Sequence, residues 1–412
     1  MHITYVKNNI IDPFEKNSLN KNDGILNLFF IGIIFLYVLL YPPFRSSSIP
    51  ALITFRITIE ALVLICLLIK IQLVTPGKFQ IHLLFAIILV IFFGIISPEA
   101  IRSVLSFLNK LLFLFLLTKA FQLDYKLMDL FRKTWIFIWF LISFSAIIAL
   151  IGHGTGFLSF SKNLFFQGTN YYDFNPLVGS VNYRTIGPFK IARYVGWMYE
   201  HGMLSYYFAL NIVLSEIIYK KETGKNWFRS INLIGGLLTL SASFYFFIFF
   251  YFIFQILNKK LKLIIYFIVP IIIYSAIFVY QNPGMFLFIS MSDRVWRIEA
   301  AMNILSKMNL IELSFGMGVL EAQTLAGGGL GVGFLSMLIG RGMFLAIFYI
   351  FLIIKYTKYN TTLMVLNLYY SLIFNDLILN PVSVLIIVLG YLSFNNKYFQ
   401  LDQKLNNIAI SR

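Results

Sequence analysis

Cysteine is almost absent from this chain. Cys66 is the single one and it lies inside an apolar run, which excludes a disulfide framework and a thiolate metal site. Histidine is sparse as well: His2, His82, His153 and His201 are scattered without ligand spacing, so no protein-bound metal centre and no cofactor are expected. Charge is the third deficit. Only 12% of the 412 residues are charged, against 59% hydrophobic and 18% aromatic, more apolar surface than a soluble domain of this length can bury. Acidic residues are the scarcer sign, 17 against 33 basic, leaving a net charge of +16. In a soluble protein that excess would suggest nucleic acid. Here the basic residues sit in short segments between apolar runs, which is the pattern of a topology signal, and nucleic acid is not an expected partner.

What fills the sequence instead is a series of apolar runs at or near the length of a bilayer crossing. They cover residues 25–41, 51–69, 79–96, 101–121, 134–150, 203–219, 231–257, 263–280, 333–354, 361–374 and 382–394. No soluble domain of any size is left over. The first 24 residues are polar and the first run reaches full span length, so no cleavable signal peptide is expected.

Lys and Arg clusters assign sides, because short cytoplasmic loops hold the basic excess. Lys119, Lys126, Arg132 and Lys133 mark one such loop, Lys220, Lys221, Lys225 and Arg229 the next, then Lys259, Lys260 and Lys262. Between the last two clusters lies the single run 231–257, and one crossing there would put one cluster outside. Parity therefore requires a hairpin turning near Thr239 to Ser243. The expected fold is all-α, a polytopic integral membrane protein of about twelve helices. The tails 1–24 and 397–412 are then cytoplasmic, spans occupy 25–152, 203–280 and 333–396, and two long connectors, 153–202 and 281–332, face outward. Long ordered connectors usually carry function. The second contains Val295, Ile298, Met302 and Leu305 at helical spacing, an amphipathic stretch expected to lie along the membrane surface.

Arginine on the outer side runs against the topological trend, so Arg184, Arg193, Arg294 and Arg297 require a reason. Guanidinium is always charged and matches phosphate oxygens bidentately, which suits a pyrophosphate held at the membrane surface. The competing reading is ordinary contact with lipid phosphates or with a carboxylate such as Asp293 or Glu299. In RYVGWMYEHG, Arg193, Gly196 and Glu200 stand at i, i+3 and i+7 and share one face if the segment is helical. Glu200 is then a candidate general base toward a sugar hydroxyl, and His201 beside it the competing candidate. The bland alternative is a helix start where Glu200 complements the macrodipole. In SFGMGVLEAQTLAGGGLGVGF the glycines match neither phosphate-loop spacing nor a strand-to-helix setting. Gly316, Gly318 and the glycines of 327–333 are better read as positions of close backbone packing.

Charges within spans are costly unless paired or facing a cavity. Arg56 and Glu60 are four apart and pair with each other, whereas Lys110 and Arg341 have no obvious local partner. Arg341, about two turns into its run, is a candidate for an outward-facing cavity that binds substrate.

These features together resemble the O-antigen polymerase and ligase superfamily, most closely the Wzy-type polysaccharide polymerases. The resemblance rests on the architecture and on four patches: RYVGWMYEHG, LLTLSAS, DRVWRIEAAMNIL followed by FGMGV, and GFLSMLIGRGMFLAIF. Where the ligases carry a histidine before the last of these, this chain reads GGGLGVGF, which favours the polymerase. The resemblance implies a GT-C-like, metal-independent glycosyltransferase of the bacterial inner membrane. Its substrate would be an undecaprenyl-pyrophosphate-linked oligosaccharide, with membrane lipid and a chain-length regulator as further candidate partners. Arg193, Arg294 and Arg184 would hold the leaving pyrophosphate, and Glu200 or His201 would position or deprotonate the acceptor. A polysaccharide-lipid flippase is the main alternative from another class; it would be expected to show two similar halves, and no internal repeat is visible.

Overall fold

A computed structural model describes residues 21–40, 50–74, 101–163, 172–186, 189–198, 201–219, 222–241, 244–252 except 246 and 250, 289–326, 333–373 and 380–410. The described residues are mostly helical. Among the described residues, two helices are long and apolar enough to cross a membrane, Tyr125–Thr155 and Gly333–Thr357.

The helices in order are α1 (Lys21–Leu40), α2 (Pro50–Val74), α3 (Ile101–Leu123), α4 (Tyr125–Thr155), α5 (His201–Ile218) and α6 (Glu222–Leu238). After these come α7 (Ile289–Leu305), α8 (Leu310–Phe315), α9 (Val319–Leu325), α10 (Gly333–Thr357), α11 (Thr361–Ile373) and α12 (Pro381–Ile410). The expected runs 79–96 and 263–280 lie outside the described residues. Boundaries move outward in several places: α4 continues to Thr155, past the expected start of the first connector, and α12 continues to Ile410 through most of the expected tail.

The centre of the bundle is α5, in which Leu204 through Leu214 are all buried. It packs against α6, α11 and α12 and meets α4 where Trp139 lies against Tyr207 and Phe208. Polar side chains fix its register: Trp135 Nε1 of α4 donates to Asn211 Oδ1 at 2.9 Å, and Tyr206 OH donates to Asn367 Oδ1 of α11 at 3.0 Å. Inside an apolar bundle such bonds specify one alignment, because a slipped helix leaves both partners unsatisfied.

At one end of the bundle the helix termini are tied by basic residues. Lys70 near the end of α2 reaches Asp124 at 2.8 Å and Asn27 of α1 at 3.2 Å. Asp124 separates α3 from α4 and accepts the Leu127 amide at 2.9 Å as the α4 N-cap. Arg132 donates to the carbonyl of Ile218, the last residue of α5, at 3.3 Å. The run expected as a hairpin corresponds to α6, a turn at Thr239–Leu240, and helical residues from Phe244. A Cβ at Gly236 would collide with the Phe244 ring, so glycine there lets the two arms meet. Tyr251 returns to donate to Glu216 of α5, on the same end as Arg132. Thus Asn27, Lys70, Asp124, Arg132, Ile218, Glu216 and Tyr251 gather at one end, as the alternation of the helices demands.

Asp124 is half-buried. Burial alone would raise its pKa, but the hydrogen bonds from Lys70 and the Leu127 amide, with the Lys70 charge, bring it below the ordinary carboxylate value. A depressed pKa contributes stability that is fully present above the unfolded value and lost as pH falls through the folded one. Stability should therefore drop below about pH 4 in the wild type, and thermal unfolding in detergent should show Asp124→Ala to be weaker by roughly 2 kcal/mol at neutral pH and less sensitive to acid.

At the opposite end the first connector is not irregular. Residues Ser161–Asn163, Tyr172–Asn175, Gly179–Ile186 and Phe189–Gly196 form β1 to β4, an antiparallel sheet in sequence order. The sheet packs on α4 and α5 through β3 and β4.

Candidate functional site

The sheet corrects one expectation. RYVGWMYEHG does not present Arg193 and Gly196 on a helix face, because both belong to β4 and the helix begins only at His201. The side-chain period there is two, so neighbours alternate between faces. Tyr194 is fully buried toward α4, while Arg193 lies half-buried on the other face. Pairing with β3 enforces the alternation: Val181 opposes Tyr194, Asn182 opposes Arg193 and Arg184 opposes Ile191.

That register has a consequence for charge. Position 184 faces position 191, two residues from Arg193 on the same strand, so 184 and 193 are diagonal neighbours on one face of the sheet. Diagonal positions lie about 7–8 Å apart. A bulge at Ser180/Val181 and the close pass of Gly179 (φ +88) over Gly196 (φ +65) end the pairing just before α5. A Cβ at Gly179 would sit 2.6 Å from the Gly196 carbonyl carbon, so this approach excludes larger residues.

The other face is clamped to α4. Tyr194 OH lies 2.8 Å from Ser145 Oγ and donates to the Val178 carbonyl at 3.0 Å; burial raises its pKa, offset only in part by Ser145. Tyr194→Phe leaves buried acceptors bare, and a loss of about 1–3 kcal/mol is expected in thermal unfolding, with faster proteolytic nicking of the sheet. A little over two turns further along α4, His153 Nε2 lies 2.8 Å from Asp173 Oδ2 and 3.0 Å from Tyr183 OH. Burial, then the Asp173 charge, raises the Tyr183 pKa and keeps the phenol a neutral donor. An imidazole oriented by a carboxylate and a phenol is equipped to accept or pass a proton. The sequence reading passed over this trio, treating His153 as isolated; its partners lie 20 and 30 residues away across the sheet.

The remaining candidates fall elsewhere. Glu200 lies outside the described residues, and His201 is the first residue of α5. Arg294 and Arg297 are on α7, which packs on the first half of α10, so the two pairs of arginines stand on different assemblies. The α7 stripe is also rotated from the expected one: Ala301 and Ile304 are buried against Ala322 and Ile339, whereas Met302 is exposed. Lys110, expected to lack a local partner, acts with Arg56 on Glu60 across the α2–α3 contact.

Arg341 is buried at a break in α10. Gly342 has φ +83 and ψ 166, which interrupts the helix between its two halves. Gly316 (φ +84) packs onto the Arg341 backbone, and Met317 and Gly318 donate to the carbonyls of Ile339 and Gly340 at 3.0 and 3.1 Å. The guanidinium carbon lies 5.6 Å from the Phe107 ring centroid of α3, a cation–π approach in a water-poor setting. Of the glycines expected to pack closely, Gly316 and Gly318 do so here.

In comparisons with known proteins, no family model matches the chain, and no curated protein or solved structure matches it, so the functional reading is carried by the chain's own residues.

Proposed function

We propose that the chain is a polytopic protein of the bacterial inner membrane, with about twelve spans, a GT-C-like arrangement and both termini in the cytoplasm. On this reading it polymerises oligosaccharide units carried on undecaprenyl pyrophosphate at the outer membrane face. Gathering of the basic helix ends at one pole, and of the sheet at the other, supports the topology. The observation that carries the catalytic reading is the register placing Arg184 and Arg193 as diagonal neighbours on one sheet face, at the entry to α5.

The reaction moves the growing glycan from its carrier to a hydroxyl on the terminal sugar of the next unit. The new bond joins that oxygen to the anomeric carbon as the anomeric bond to pyrophosphate breaks, and the hydroxyl proton goes to a base. Arg184 and Arg193 meet the charge that develops on the departing pyrophosphate, which requires positioning rather than a covalent intermediate. Arg294, Arg297 and Arg341 hold a second lipid-linked substrate, and Glu200 or His201 takes the acceptor proton. A chain-length regulator would be a partner of this assembly.

One observation favours a second reading. A membrane helix broken beside a buried arginine, as α10 is at Gly342, is also how transporters build sites for anionic cargo. The surface glycan of cells lacking the protein separates the readings: loss of the polymer ladder with single units still displayed supports the polymerase. Polymer accumulating on the carrier would indicate a ligase, absence of any exported unit a flippase, and an unchanged ladder none of these.

A further inference from the structure

The second connector is expected to face outward, yet its contacts with α10 set part of it at membrane depth. Gly316 lies on Arg341, the Phe315 ring is 5.5 Å from that of Phe344, and Ser314 O lies against Gly342. From Arg341 down to Lys355, at the basic end of α10, is 14 residues, or about 20 Å of helix. Independently, Arg341 stands over Phe107, which is 12 residues from Lys119 on α3, or about 18 Å. In a hydrocarbon layer of about 30 Å, both routes put the crossing of Gly316 and Arg341 about 10 Å below its outer edge.

At that depth a bare backbone is costly, and much of this segment's backbone is paired. Asn309 and Glu312 form a reciprocal capping box at the start of α8. The Gly316 amide donates to the Glu312 carbonyl, and those of Met317 and Gly318 donate to the opened carbonyls of α10. The side chains agree with the backbone. Leu310 is 81% exposed and Ile311 64% exposed, beside an exposed stripe on α10 made by Phe344, Ile347, Phe351 and Ile354 at helical spacing. The short helix spans under about 10 Å, so lying flat or tilted outward from that crossing it stays within the outer leaflet.

We infer that α8 is a re-entrant element, and that Leu310 and Ile311 face the acyl chains of the outer-leaflet phospholipids, continuing the lipid-facing stripe of α10. This rests on the membrane reading above, though not on the chemistry proposed there.

The single native cysteine makes the test direct. In a Cys66→Ser background, Leu310→Cys and Ile311→Cys are compared with Ile347→Cys on the α10 stripe and with the exposed Ser159→Cys at the sheet end. The full chain is used in unsealed phosphatidylcholine–phosphatidylglycerol membranes. At positions 310 and 311, a charged maleimide should react at least about tenfold more slowly than at 159, as expected in hydrocarbon. A small fluorophore attached there should be quenched by doxyl-labelled lipid as strongly as at 347. Fast labelling without quenching at 310 and 311, while 347 behaves as lipid-facing, overturns the inference; so does slow labelling without quenching, which means protein covers them. Fast, unquenched labelling at 347 as well overturns the membrane reading itself.

Discussion

Gly342→Ala is expected to cost roughly 4 kcal/mol of stability, among the largest single-residue effects available in this chain. The backbone at Gly342 has φ +83, where a residue with a Cβ loses about 1–2 kcal/mol. The added carbon would also run into the Ser314 carbonyl oxygen and lie 2.5 Å from the Phe315 carbonyl carbon. Neither can give way without breaking the Met317 and Gly318 bonds to α10. Relief would part α8 from α10 and expose the small cluster of Ala301, Ala322 and Ile339. Thermal unfolding in detergent, with proteolysis at 306–309, reads the effect. Gly32→Ala is the control: that glycine sits in α1 with nothing within 4 Å of the added carbon, so the change should be neutral or stabilising by a few tenths to about 1 kcal/mol. Equal behaviour of the two variants would contradict the break in α10.

Arg193→Ala is expected to lower turnover by about 100-fold or more, with a far smaller change in the amount of folded protein. On the proposed reading the cation at this sheet face meets the developing negative charge, with position 184 as its diagonal neighbour in the register. Arg193→Lys should recover part of the loss, because charge returns but the planar fork that matches phosphate does not. The signature sought is a fall in turnover at saturating substrate, normalised to folded protein. Tyr194→Phe, one residue along and facing α4, should do the reverse: stability falls while turnover per folded molecule holds. If Arg193→Ala instead changed stability alone, the arginine would be part of the scaffold.

Helices were legible because their signal is local. Runs such as 134–150 and 333–354 carry their apolar character continuously, and the turn at Thr239–Leu240 falls inside the window that charge parity requires. The sheet was not legible, because its support is not local: Tyr194 is held by Ser145, 49 residues earlier, and Arg193 pairs in register with Asn182 on the neighbouring strand. Spacing at i, i+3 and i+7 in RYVGWMYEHG suggested a helix, whereas the pairing of Asn182 with Arg193 and of Val181 with Tyr194 makes the segment a strand. Among the candidate residues, Arg184 and Arg193 were singled out because an outward placement was expected for them, and Arg341 by its place within an apolar run. The break beside Arg341 went unread, although GRG offered two breakers in succession. His153 escaped notice for the same reason as the sheet, since Asp173 and Tyr183 reach it only once the strands pair.

The most direct measurement uses the purified full chain in vesicles with a lipid-linked repeat unit as the sole substrate and a chelator present. The proposed polymerase should lengthen the glycan stepwise and release undecaprenyl pyrophosphate, one carrier for each linkage formed, with Arg193→Ala nearly inert. Units that stay unjoined, whether they remain in place or cross to the other leaflet, would contradict it.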